Sequence, residues 1–217
     1  MAKKKANTPA ESRAVSRRKP AAKPARAAKA PSGGEIFQVK VTLVDIRPRI
    51  WRRLQTRDCS LAKLHDLIQT GMGWSDGHLH VFEIEGKEYG HPEQWPKDGM
   101  FDDDKLDERK VKLSTLVGNG VKKFRYEYDL GDSWQHAILL EKTLAAESGA
   151  TYPRCVAGER ACPPEDCGGP WGYYNLLEAM QNPTTPRHEE LLEWLGGEFE
   201  PEAFDLDAIN QALARLR

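Results

Sequence analysis

No run in the 217-residue chain approaches the ~18 consecutive apolar residues that a membrane-spanning helix needs. No apolar segment follows the N-terminal lysines, so no secretory signal is expected. The expected location is the cytoplasm, with no membrane partner. Cysteine is sparse and confined to Cys59, Cys155, Cys162 and Cys167. In a reducing compartment these are free thiols or metal ligands, not a disulfide frame. The zinc-finger knuckle C-x2-C is missing. So are the phosphate-cradling loop G-x-x-x-x-G-K-S/T and the nucleophile elbow G-x-S-x-G. "FDDDKLDE" lacks the D-x-D-x-D-G order of a calcium loop and reads as a solvated loop. No internal repeat occurs.

Acid is nearly missing from the first 34 residues, which hold ten Lys/Arg against Glu11 alone, a charge of +9. The formal net charge of the chain is −1, so residues 35–217 carry −10. The tail also lacks large apolar side chains, so it cannot bury enough surface to offset its ordering entropy. Residues 1–34 are therefore expected to be a disordered basic tail, with Ser32-Gly33-Gly34 as its hinge. Lys3, Lys4, Lys5, Arg17, Arg18 and Lys19 are its candidate contacts to nucleic acid. Scattered prolines (Pro9, Pro20, Pro24, Pro31) argue against an amphipathic transit peptide.

From Ile36 the pattern changes. Phe37, Val39, Val41 and Leu43 alternate with polar residues, which predicts a half-buried strand. Ile50–Thr56 reads as its returning partner, with the arginines of "RPRIWRR" as a solvent-facing row. Ser60 is placed to cap a helix whose stripe is Leu61, Leu64, Ile68 and Met72, ended by Gly71 and Gly73. "HLHVFEI" is a strand with His78, His80, Phe82 and Ile84 on one face. A helical turn is expected around Leu113–Val117. "KFRYEYDLGDSWQHAILLEKT" is a hairpin whose Asp129–Ser133 turn separates Phe124–Tyr128 from Trp134–Glu141. Helices are predicted at Tyr173–Gln181, His188–Leu195 and Asp205–Leu216. The fold class is α+β: an antiparallel sheet of hairpins with one packed helix, a β-grasp-like arrangement among the options, and a C-terminal helical cover.

Chemistry concentrates in two stretches. One is "GERACPPEDCGGPWGYYN" with Cys155 just before it; Cys155, Cys162 and Cys167 have the spacing C-x6-C-x4-C. A zinc ion there would need His80 or His136 as a further ligand; reduced structural thiols are the alternative. Glu165 and Asp166 precede Gly168-Gly169 and read either as a base or cation ligands, or as anions at a helix start. The other stretch is "YDLGDSWQH", where Asp129, Asp132 and His136 are either turn and core residues or a carboxylate–imidazole pair. His80 and His136 should both point inward, as core histidines or as converging ligands.

"IWRRL", "LAKLHDLIQTGMGWSDGHLHVFEI", "FRYEYDLGDSWQHAILLEK" and "YPRCVAGERACPPEDCGGPWGYYNLLEAM" together resemble the plasmid pRiA4b ORF-3-like family. The resemblance covers about residues 35–200 and implies a bacterial or archaeal α+β domain. It carries no established activity. A resolvase-like label attached to some members links them to mobile elements, but no serine-recombinase pattern appears here. The resemblance implies a shared site or a shared structural knot that includes His80, Tyr128, Asp129, Asp132, His136, Cys155, Cys162, Glu165 and Asp166. Leu130 stands where the family often has Phe.

Two functions follow as expectations, beside a purely structural interaction protein in which the Cys-Pro-Pro-Glu-Asp loop clamps the C-terminal helices to the sheet. The first is a non-enzymatic binding module with one polar His/Asp/Cys cleft, aided on nucleic acid by the tail. The second is a metal-dependent hydrolase or nuclease. His80, His136 and Cys155 or Cys162 would hold zinc, with Cys167 nearby and Asp132, Glu165 or Asp166 as base.

Overall fold

The computed structural model describes residue 1, residues 34–95 and residues 105–216. The basic tail, and its expected disorder, lie outside the described residues. So does most of the "FDDDK" stretch.

Strands β1 (Glu35–Leu43) and β2 (Trp51–Arg57) form the first hairpin, and helix α1 (Leu61–Met72) follows. Next come β3 (His80–Ile84), β4 (Lys87–Gly90), the two-residue β5 (Leu106–Asp107) and α2 (Leu113–Gly118). The second long hairpin is β6 (Lys123–Tyr128) with β7 (Trp134–Ala145). Strand β8 (Arg154–Glu159) precedes α3 (Gly169–Met180), α4 (Pro186–Leu195) and α5 (Leu206–Leu213). The eight strands make one sheet in the order β5-β4-β3-β6-β7-β1-β2-β8. Every neighbouring pair is antiparallel except β4 with β5. Three chain-order hairpins, β1–β2, β3–β4 and β6–β7, are joined by the longer-range pairs β3–β6, β1–β7 and β2–β8 into the expected α+β fold with a mostly antiparallel sheet. A β-grasp sheet would set its first strand parallel to a central neighbour, whereas β1 meets β7 antiparallel.

The period-two alternation puts Val39 and Val41 of β1, Tyr126 and Tyr128 of β6, His136 and Ile138 of β7, and Phe82 of β3 at 0–1% exposure. Helix α1 lays Leu61, Leu64, Ile68 and Met72 into this core, as its spacing predicts. Burying each such side chain contributes about 1.5–3 kcal/mol. The Ser60 hydroxyl accepts the Lys63 amide at 3.2 Å, and Gly73 ends the helix at φ 94°. Helix α5 starts where Asp205 accepts the Ala208 amide, buries Leu213, and packs on α1 and β8.

The opposite sheet face is polar. Arg154 donates to Gln55, Gln55 to Gln38, Gln38 to Glu141, and Arg53 makes two hydrogen bonds to the same Glu141 carboxylate.

Three expectations need correction. The arginine row is broken at Arg52, which is 3% exposed and donates to the carbonyls of Trp51, Gly71, Glu159 and Arg160. Its strand position faces the end of α1, where unpaired carbonyls attract a guanidinium. Residues 154–159, for which the sequence pattern marks no strand, form β8 by pairing with the outer edge of β2, whose ladder groups would otherwise lack partners there. Glu108 is not part of a solvated loop but 1% exposed, held by His80.

Candidate functional site

Three chain segments meet at one end of the sheet: the β6–β7 turn, the α1–β3 connection and the loop before α3. The β6–β7 turn folds on itself because the Asp129 carboxylate accepts the amides of Gly131 and Asp132 at 3.0 and 3.2 Å. Asp129 and Ser133 both have positive φ, 56° and 53°. Asp132 then reaches across, and its carboxylate accepts the Gly168 amide at 3.0 Å. The two stretches singled out in the sequence therefore touch directly. Glycine is required at this junction: a Cβ on Gly169 would collide with the Asp132 carbonyl oxygen.

The α1–β3 connection (residues 73–79) forms a third wall that the sequence did not suggest. The Trp74 indole donates to the Pro163 carbonyl at 2.9 Å. Glu165 accepts the Ser75 amide and hydroxyl on one oxygen and the Tyr128 hydroxyl on the other. Burial pushes the Glu165 carboxyl up, but these hydrogen bonds outweigh it and hold it below the usual range. A carboxylate so occupied is a staple and a poor base.

His78 sits at the junction of all three walls. Its Nδ1 is 3.7 Å from Asp129 and its Nε2 3.3 Å from Asp166. One ligand atom from each of His78, Asp129 and Asp166 lies within 4.8 Å of the other two. Asp166, at φ 57°, also lines a cleft of about 300 Å³ together with Cys167, Arg187 and Trp194. His78 is partly exposed and Asp166 largely so; the group faces solvent and can be reached.

A second group lies deeper. His65 on α1 stacks flat on His80, with ring centroids 3.6 Å apart and an interplanar angle of 9°. His65 Nδ1 meets the Tyr126 hydroxyl and Nε2 meets Asp76, both at 2.7 Å. Burial, and then the adjacent His80, lower the His65 pKa to about 3, so it is neutral at pH 7. The network assigns its proton to Nε2, facing the Asp76 carboxylate, while Nδ1 accepts from Tyr126. Gln69 supports both ends, donating to Tyr126 and accepting the Asp76 amide. His80 Nε2 meets Glu108 at 2.8 Å, both 1% exposed. His65, Asp76 and His80 also bring ligand atoms within 4.8 Å of one another. Their geometry does not suit one ion. An imidazole ligates in its own ring plane, about 2 Å from the nitrogen. Two parallel planes this far apart share no such point.

The ligand set expected from the sequence does not assemble. Among the described residues, neither three-residue group contains a cysteine or His136. His80 joins the buried network, and Asp166 joins His78. His136 is fully buried beside Trp74 and Tyr126, and burial lowers its pKa to about 4. The carboxylate–imidazole pair read in "YDLGDSWQH" does not form, because alternation sends His136 inward while the turn carboxylates stay outside; Asp129 lies beside His78 instead. Cys155 lies on β8, its backbone held by Asn210 of α5. All four cysteines are free. Burial pushes the Cys59 and Cys167 thiols up to about 12, and raises Cys155 and Cys162 as well. At neutral pH they are neutral packing groups. Spacing and residue type single out neither His65, Asp76 nor Tyr126 as part of a site, and place His78 only on the strand face of His80.

Similar proteins share this frame. A solved protein of unknown function from Methanosarcina mazei Go1 superposes with a TM-score of 0.71 at 37% identity, over 80% of this chain and 96% of its own. The uncharacterized protein y4hQ of Sinorhizobium fredii is 37% identical over 184 residues, covering 83% of this chain and 92% of its own. The family description "Plasmid pRiA4b ORF-3-like protein" matches residues 35–208, which include β1 to β8, α1 to α4 and every wall of the site. The chain belongs to the plasmid pRiA4b ORF-3-like family.

Proposed function

We propose that the chain is a binding module whose cleft holds a divalent cation through His78, Asp129 and Asp166. The observation that carries this reading is the convergence of one imidazole and two carboxylates at a solvent-facing junction. Mixed nitrogen and oxygen donors suit Mn²⁺, Zn²⁺ and their neighbours better than Mg²⁺ or Ca²⁺. Binding is favoured over catalysis because the nearby carboxylates are committed. Glu165 is tied to Ser75 and Tyr128, and Asp132 to Gly168. The adjacent 300 Å³ cleft gives a bound cation access to a further ligand.

Mn²⁺ is the probe of choice, because it has little affinity for the four thiols. Titration followed by the electron paramagnetic resonance of free Mn²⁺ should show one site per chain. The variants His78→Ala and Asp166→Asn should weaken it at least tenfold, while Asp76→Asn should leave it unchanged. Equal binding by all four proteins would refute the assignment.

The proposal includes a salt-sensitive contact between the basic segment (Lys3, Lys4, Lys5, Arg17, Arg18, Lys19) and nucleic acid. A gel shift comparing the full chain with residues 35–217 tests it; equal retardation would count against that segment.

A further inference from the structure

We infer that the polar face of the sheet carries a second site, a basic groove that binds a single nucleic-acid strand. It is separate from the cation cleft and does not depend on it. Strand β7 is its floor. Leu139 of β7 is paired on one side with Lys40 of β1 and on the other with Lys123 of β6. The next outward row places Ala137 between Thr42 and Arg125. Small or apolar floor residues thus lie between two long cationic walls. Two strand spacings separate the walls, about 10 Å between backbones. The β1–β2 connection closes one end with Arg47 and Arg49, both exposed. The groove has a volume of about 330 Å³, and no carboxylate lines it.

The charge is what makes this face unusual. Residues 35–217 carry −10, so cations should each find an acid nearby. Arg53 does, on Glu141, and Arg125 does, on Glu83. Lys40, Arg47, Arg49 and Lys123 form no ion pair among the described residues. Lys40 instead lies 4.2 Å from the Trp51 ring centroid, and Arg47 holds the Val44 and Ile46 carbonyls. Four cations without an ion pair, Lys40 among them feeling the Glu141 carboxylate from a distance, surround a shallow trough and match a chain of phosphates. The width favours a single strand, since a duplex is about twice as broad as the trough. The partly apolar floor suits the bases, which have apolar faces.

Salt dependence separates this groove from the basic tail. The full chain would be titrated onto a fluorescein-labelled thymidine strand of about 15 nucleotides, by anisotropy, at several salt concentrations. A groove variant carries Lys40→Gln, Arg49→Gln and Lys123→Gln. A control variant carries Lys87→Gln, Lys110→Gln and Lys112→Gln, the same charge change near the β4–β5 edge. Thermal melting would verify that both variants are folded. Each cation–phosphate pairing removed should lower the slope of log K against log salt by about 0.7. The groove variant should therefore show a slope smaller by about 2 and bind at least tenfold more weakly, with the control near wild type. Equal weakening in both variants, or in neither, would overturn the inference. So would tighter binding of a duplex of the same length, or of anionic vesicles, than of the strand.

Discussion

The imidazole of His65 lies flat against that of His80, each anchored to its own carboxylate, Asp76 and Glu108. Burial makes an added proton on the His65 ring costly, and the adjacent His80 adds to that cost. This helix-to-sheet stack ties α1 to β3.

Stability should therefore fall in mild acid. The His65 pKa is about 3 and that of His136 about 4, against an ordinary 6.5. Below pH 6.5 the unfolded chain takes up protons that the folded chain refuses. The contribution is fully present above 6.5 and is lost as the pH falls towards 4 and 3. The slope is about 1.4 kcal/mol per pH unit for each histidine. Urea midpoints between pH 7 and pH 4 would measure it. His136→Phe should flatten the curve; an unchanged acid dependence would contradict the assignment.

Glu165 joins two walls by three hydrogen bonds, from Ser75 and Tyr128. Glu165→Ala should cost about 2 kcal/mol in chemical denaturation, leaving the Tyr128 hydroxyl short of its acceptor. Tyr128→Phe should cost about 1 kcal/mol. If Glu165→Ala left stability untouched, the staple role would be wrong.

Gly172 allows α3 to start against the Cys167 carbonyl oxygen, which a Cβ would overlap. Gly172→Ala should lower the melting temperature by several degrees and speed hydrogen exchange at the Gly168 amide, which Asp132 now protects. Unaltered exchange would show that the loop and turn are held together by other means.

The Cys167 thiol, raised to about 12, should be alkylated slowly in the native protein. At pH 8 its rate should fall about 1,000-fold below that of the unfolded chain, from the thiolate fraction alone. Mass spectrometry after brief iodoacetamide treatment reads this directly. Rapid native labelling would reveal an activated thiol.

Alternation made β1, β3, β6 and β7 legible in the sequence, and capping made α1 and α5 legible at Ser60 and Asp205. The inward turn of His80 and His136 followed from the same period of two. The meeting of the Asp132 turn with the Gly168 loop was readable as two polar stretches, although the wall between them was not. What failed were pairings set by topology. Strand β8 has no alternating face, and its edge position on β2 supplies what its own residues do not. His78 acquires Asp129 and Asp166 only because three distant segments converge. Arg52 resembled its exposed neighbours until the end of α1 was placed above it.

The strand order has a consequence for how the chain acquires its shape. The first strand is central, and it borders β7, pairing Val39 with Leu140. The sheet therefore divides into two blocks, β8-β2-β1 and β7-β6-β3-β4-β5, joined along a single seam about 100 residues apart in sequence. Closing so long a loop carries an entropic cost that no local hairpin meets. During synthesis β1 would emerge early and wait, with one edge open, until residues near 140 followed. The β1–β7 seam and the β2–β8 edge, which joins Leu54 to Cys155, are thus the late junctions, and the candidate site, whose walls come from both sides of residue 140, waits for them.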